Sequence, residues 1–187
     1  MNKAYGLSIP ETLDEVCHPQ RIVLLVYDMQ VGILNQIKNS EEITQQVLKV
    51  LSAARNAGVR VFFSRHLSLP KELMGMVQFR MAMAWQRTGS PEEVNPWFLR
   101  DAPGFQIVPE LSPLPTEGVF DKLTMSAFEG TWLDFALRDC GINAFINRRR
   151  VAKIVARSRL VRLISNAVEP VFSTAPLSGR PGDVTQL

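Results

Sequence analysis

The run Ile22-Val23-Leu24-Leu25-Val26-Tyr27 is unbroken in apolar and aromatic side chains, and it closes on Asp28, Met29 and Gln30. A run this short and this rich in β-branched residues fits a strand covered on both faces, as strands of parallel sheets are. Such a strand needs helices above and below it, which already points to an α/β chain. An acid at its carboxyl end stands where open α/β sheets gather their ligands. Asp28 taken alone could equally be a solvated acid opening a turn.

The next segment carries the matching helix. Ser40 is placed to cap it, Glu41 and Glu42 fall in the first turn, and Ile43, Val47, Leu48, Val50, Leu51 and Ala54 recur at helical spacing. Gly58 suits the residue just past the helix end, and Val59-Arg60-Val61-Phe62-Phe63-Ser64 reads as a second strand. The same grammar returns downstream. Gly118-Val119-Phe120-Asp121-Lys122 is a short strand, Trp132 to Cys140 a helix with Trp132, Phe135, Ala136 and Cys140 along one side, and Gly141 leads to a strand from Ile142 to Ile146. Strand–helix–strand repetition implies a doubly wound α/β fold, a three-layer α/β/α open parallel sheet. Between these units, Leu73 to Trp85 reads as a short Met-rich helix. Pro91, Pro96, Pro103, Pro109, Pro113 and Pro115 forbid one continuous element after it. A connection of this length is either a lid over a site or a plain surface excursion.

A chain of 187 residues, 46% hydrophobic and 21% charged, fits one globular domain with a sizeable core. Residues 1–20 read as an extension, with a helix start at Pro10-Glu11-Thr12 and a stop at Pro19, and without the apolar segment of a signal peptide. Cys17 and Cys140 suggest no disulfide framework, so a reducing, cytoplasmic setting is expected. Residues 147–187 differ from residues 21–146: they hold eight basic residues against Glu169 and Asp183, although the whole chain is only +3.

Two strand ends carry titratable groups, Asp28 and Lys122. In a parallel sheet both lie on the carboxyl edge and can converge. A carboxylate beside an ammonium in a cleft can work as a general base whose proton affinity the cation controls, or the two can form a structural ion pair. Here the residues resemble a known family. Leu25-Val26-Tyr27-Asp28-Met29-Gln30 is similar to the strand end of the isochorismatase-like, or cysteine hydrolase, superfamily, and Asn56-Ala57-Gly58-Val59-Arg60-Val61-Phe62-Phe63 resembles its next helix–strand junction. Phe120-Asp121-Lys122 with Ser126-Ala127-Phe128 and Gly130-Thr131-Trp132-Leu133 resembles a third segment, and Leu137-Arg138-Asp139-Cys140-Gly141-Ile142 a fourth. All four occur in order over residues 20–146.

The resemblance implies an open parallel sheet, frequent homo-oligomers, a small-molecule substrate and an Asp–Lys–Cys triad that hydrolyses amide or carbamoyl C–N bonds through a thioester. Some relatives cleave an isochorismate-type vinyl ether, with Gly where the Cys would be. Carried over, Asp28 is the base and Lys122 its positioning cation. The nucleophile belongs after the strand that begins at Ile142. There this chain reads Asn147-Arg148-Arg149-Arg150-Val151, and no cysteine follows Cys140. Cys140 precedes the glycine that ends a helix, at the entry to the strand, and suits a small buried hydrophobe; Cys17 lies in the extension.

Consecutive arginines cannot be buried at the centre of a sheet, so the strand is expected to stop near Ile146 and the sheet to be incomplete beyond it. Read one base out of register, codons for Asn and three Arg can encode the Ile-Ala-Gly-Val that the resemblance leads one to expect. Residues 147–187 are therefore read as an out-of-frame tail; the other two frames of the coding DNA test this. The tail could alternatively be a basic amphipathic helix that makes the chain an adaptor for nucleic acid or membrane. It has no aromatic before Phe172 for base stacking, and such binding is not favoured. A third reading is a binding or assembly protein without catalysis.

Other residues carry weaker expectations. Gln30, Arg65 and Phe128 are candidates to contact substrate, each equally suited to packing or surface roles. Trp85 and Trp97 could line a lid or only close its core. His66 has no second histidine nearby, so no metal and no cofactor is expected.

Overall fold

The structure, a computed structural model, describes residues 2–9 and 11–148. In chain order the elements are strands β1 (Asn2–Ala4) and β2 (Leu7–Ile9), helix α1 (Leu13–Val16), β3 (Ile22–Tyr27), α2 (Val31–Leu34), α3 (Ser40–Asn56), β4 (Arg60–His66), α4 (Met76–Gln86), β5 (Gly118–Lys122), α5 (Leu133–Asp139) and β6 (Ala144–Arg148). Four strands form one parallel sheet in the order β5-β4-β3-β6, so the first long strand of the chain is internal.

All six residues of β3 are buried, and they divide between two clusters. Leu24 and Val26 join Val61 and Phe63 of β4 and the face of α3 formed by Ile43, Val47, Leu51 and Ala54. Val23, Leu25 and Tyr27 join Phe120, Phe145, and Leu133 and Leu137 of α5. Alternate side chains of one strand therefore meet helices on opposite faces, which is the three-layer arrangement expected of an uninterrupted apolar strand.

Several local expectations shift. Asn39, not Ser40, takes the cap position of α3, and Ser40 is its first helical residue. Gly58, at φ 67°, ends that helix in the left-handed region where a side chain would be strained. On α5 the buried face is Leu133 and Leu137, while Phe135 is exposed and Trp132 half-exposed. A Leu pair four apart and an aromatic stripe beside it have the same period, and the sheet takes the Leu pair. The extension is more structured than a lone helix start implies. β1 and β2 pair antiparallel across Tyr5-Gly6, both at positive φ, as tight hairpin turns require.

The strand from Ala144 runs past Ile146 to Arg148, with Asn147 aligned to Leu25 and Arg148 to Val26. Among the described residues β6 is an outer strand, and Asn147 is exposed there. Backbone pairing can thus continue without putting Asn147 in a core. The readings of the tail as out-of-frame, incomplete sheet or basic adaptor fall on residues 149–187, outside the described residues. No described helix is long and apolar enough to cross a membrane.

The proline-rich connection between β4 and β5 is packed. Val94, Phe98, Phe105, Val108 and Leu111 are all buried. Its backbone is laced to the end of β3 through Val31 N–H to the Gln106 carbonyl (2.9 Å) and Val108 N–H to the Met29 carbonyl (3.0 Å). Arg55 of α3 clamps its far end, with Nε 2.7 Å from Glu117. This connection forms a wall above the carboxyl edge of the sheet.

Candidate active site

Asp28 is the first residue beyond β3, and Lys122 the last of β5, with β4 between the two strands. The Lys122 ammonium lies 2.7 Å from Asp28 Oδ2; the lysine side chain is fully buried and the aspartate 12% exposed. Lys122 also donates to the Thr124 carbonyl at 3.2 Å and lies 4.7 Å from the Tyr27 ring centroid. The Tyr27 hydroxyl is held by the Met125 carbonyl.

The other carboxylate oxygen of Asp28 accepts a hydrogen bond from Ser64 Oγ at 2.7 Å. The Asp28 N–H also points to Ser64, at 3.1 Å from both its carbonyl and its Oγ. Asp28 has φ 51°, a left-handed conformation uncommon outside glycine but tolerated by Asp. That turn carries the carboxylate off the strand axis and toward the cavity. A fully buried cation, a serine hydroxyl and a fixed backbone thus aim one carboxylate.

The cavity measures about 340 Å³, within the range of roughly 300–1,000 Å³ for small-molecule sites. Asp28 and Tyr27 form part of its floor, Met29, Leu34 and Ile43 an apolar side, and Trp85, Trp97 and Phe98 the opposite wall. The connection after β4 therefore supplies the aromatic wall, and Trp85 and Trp97 face the cavity.

His66, the last residue of β4, also faces it and was not anticipated from sequence as part of the site. It is 4% exposed, and its ring meets Trp85 and Phe98 edge-on at 5.2 and 5.7 Å between centroids. Its Nδ1 is buried with no hydrogen-bond partner among the described residues. Burial, and then the charge of Lys122, push its pKa down to about 4, so the ring is uncharged at neutral pH. Ser64 could have been found from sequence, because it lies at the expected end of the second strand, on the same edge as Asp28.

Three residues proposed for substrate contact do other work. Gln30 is completely buried, donates to the His66 and Phe105 carbonyls at 3.0 and 2.8 Å, and accepts from the His66 N–H at 2.6 Å. It ties the connection to β4 and does not line the cavity. Arg65 pairs with Asp121 (2.8 Å), which also meets Arg100 (2.9 Å), and its guanidinium lies over the Phe105 ring at 4.3 Å. Side chains alternate along a strand, so Arg65 points away from the face of Ser64 and His66. Phe128 packs on Phe145, 6.0 Å between ring centroids, within the α5 side of the core.

Neither cysteine approaches Asp28. Cys140 caps the end of α5 and packs against the second cluster, ahead of Ala144, whose partner is Ile22 at the start of β3. It is thus on the amino edge of the sheet, a strand length of about 20 Å from Asp28. Cys17 is exposed and precedes β3. Among the described residues no three His, Cys, Asp or Glu side chains cluster to hold a metal ion.

A family model described as the isochorismatase domain matches residues 23–147. The chain belongs to the isochorismatase family. Solved structures with the same architecture include a cysteine hydrolase from Pseudomonas syringae pv. phaseolicola 1448A, 27% identical with a TM-score of 0.56 over 69% of this chain and 59% of that one. A putative hydrolase of the isochorismatase family from Chromobacterium violaceum is 26% identical, with a TM-score of 0.51 over 68% of this chain and 56% of its own. N-carbamoylsarcosine amidase from Thermoplasma acidophilum, at 22% identity and TM-score 0.51 over 68% and 66%, shares the fold. This isochorismatase-family chain spans 59% of the length of the first of these. No curated protein matches it.

Proposed function

We propose that the chain is a hydrolase of a small molecule in which Asp28 is the general base and Lys122 positions it. The reaction is cleavage of an amide or carbamoyl C–N bond, or of an isochorismate-type vinyl ether. The observation that carries this reading is the buried Lys122–Asp28 pair at 2.7 Å, opening on a cavity of about 340 Å³.

For a C–N substrate, Asp28 takes a proton from water and the water oxygen attacks the carbonyl carbon. The C–N bond then breaks and the proton passes from Asp28 to the departing nitrogen, giving acid and amine. The thioester route needs a thiolate beside Asp28, whereas Cys140 lies on the other edge of the sheet and Cys17 is exposed in the segment before β3. Turnover is therefore impaired relative to a full triad and retains only its acid–base part, worth about 10²–10⁴-fold. The same missing thiol favours a second reading, a domain that binds its small molecule without converting it.

The two separate in one assay. A panel of small amides, carbamoyl compounds and a vinyl ether is incubated with the chain and with Asp28→Asn. Slow turnover that the variant loses supports the hydrolase; binding without turnover of any member supports the second reading.

A further inference from the structure

The polar group in the cavity that neither the fold nor the proposed chemistry uses is His66. Its backbone is engaged by Gln30, whereas its ring Nδ1 has no hydrogen-bond partner among the described residues, although the residue is more than nine-tenths buried. A buried nitrogen left unpaired is costly, and functional sites are where such costs are retained until a ligand arrives. The ring borders the large cavity and also a void of about 20 Å³ that reaches Gln78, whose Oε1 is likewise buried and unpaired. Around it, Trp85 and Phe98 meet the imidazole at a steep interplanar angle and line the same cavity, an aromatic setting suited to a flat ligand.

The charge pattern restricts that ligand. The Asp28 carboxylate faces the cavity, while the Lys122 ammonium is fully buried against the carboxylate. Among the described residues that line the cavity, no other carries a charge. A second anion brought in would meet the carboxylate first, at low effective dielectric. We propose that His66 is a substrate-binding residue that hydrogen-bonds a planar, uncharged ligand held against Trp85 and Phe98, and that this slot selects uncharged over anionic substrates, which favours the amide and carbamoyl reaction over that of an anionic isochorismate-type vinyl ether. This rests on the hydrolase reading for the place of the scissile bond, but concerns binding alone.

Two ligands of equal shape test it: terephthalamide, uncharged, and 4-carbamoylbenzoate, in which one amide is replaced by carboxylate. Binding to the full chain is measured by ligand-observed NMR at neutral pH, with His66→Leu and His66→Gln alongside and circular dichroism to confirm that each variant folds. The uncharged ligand is expected to bind at least about tenfold more tightly than the anion, and His66→Leu to weaken it about tenfold while His66→Gln largely retains it. Equal or tighter binding of the anion, binding of neither ligand, or a folded His66→Leu chain that binds as the parent does overturns the inference. These readouts do not depend on turnover, so failure of the hydrolase reading is recognised separately by binding without reaction.

Discussion

Asp28→Asn lowers the stability of the fold by about 3 kcal/mol, and the loss is largely recovered when Lys122→Met is added. Lys122 is fully buried, its ammonium 2.7 Å from the carboxylate. Removing the negative charge leaves the Thr124 carbonyl and the Tyr27 ring face as its remaining named partners, neither of which carries a full charge. Breaking one side of a buried pair costs about 3–5 kcal/mol, because the remaining ion stays in a medium that solvates it poorly. Replacing both members removes the ion along with the partner, so the double variant approaches the parent. For a chain of this size the single variant melts roughly 6–12 °C lower. Thermal melts of the four chains in the cycle provide the check. A double variant whose loss equals the sum of the two single-variant losses would mean that the two side chains are not coupled and that the site geometry is wrong.

The second large effect is in acid. His66 has a folded-state pKa of about 4 against 6.5 for an unburied imidazole. Between those values the unfolded chain binds a proton that the folded chain refuses. Stability from this group is therefore full above about pH 6.5 and falls as the pH drops through that window, by about 3 kcal/mol in all. Below about pH 4 both states are protonated and the slope from His66 ends. His66→Gln removes the titration, so urea midpoints measured at intervals from pH 7 to about pH 4 fall less steeply in the variant. Glu117 contributes later: burial raises its pKa, but the Arg55 hydrogen bond and the Leu114 N–H more than offset this, so its loss comes below the ordinary carboxylate range. Parallel acid slopes in parent and variant would show that His66 is not held neutral.

The centre of this site was legible because its determinants are local and periodic. An apolar strand covered on both faces forces a parallel sheet, and a parallel sheet brings the ends of β3 and β5 to one edge, so Asp28 and Lys122 could be paired across a long separation in sequence. His66 was not legible, because its meaning comes from Trp85 and Phe98 in a connection without hydrophobic period. Which of their two expected roles Gln30 and Arg65 take was not legible for a related reason. Each lies near a strand end, but Gln30 saturates its amide on backbone groups of that same connection, and Arg65 is on the strand face that meets Asp121 and Phe105. The burial of Leu133 rather than Phe135 on α5 is decided by which of two adjacent stripes meets the sheet, a tertiary choice that spacing alone does not contain.

The Asp28–Lys122 site is predicted to work without a thiol. The most direct measurement is turnover of the small-molecule panel by three chains: the parent, a Cys17→Ser, Cys140→Ser double variant, and Asp28→Asn. Turnover is predicted to be the same in the parent and the cysteine-free chain and to disappear in Asp28→Asn while that chain remains folded. Activity lost with the cysteines but kept without the Asp28 carboxylate would contradict it.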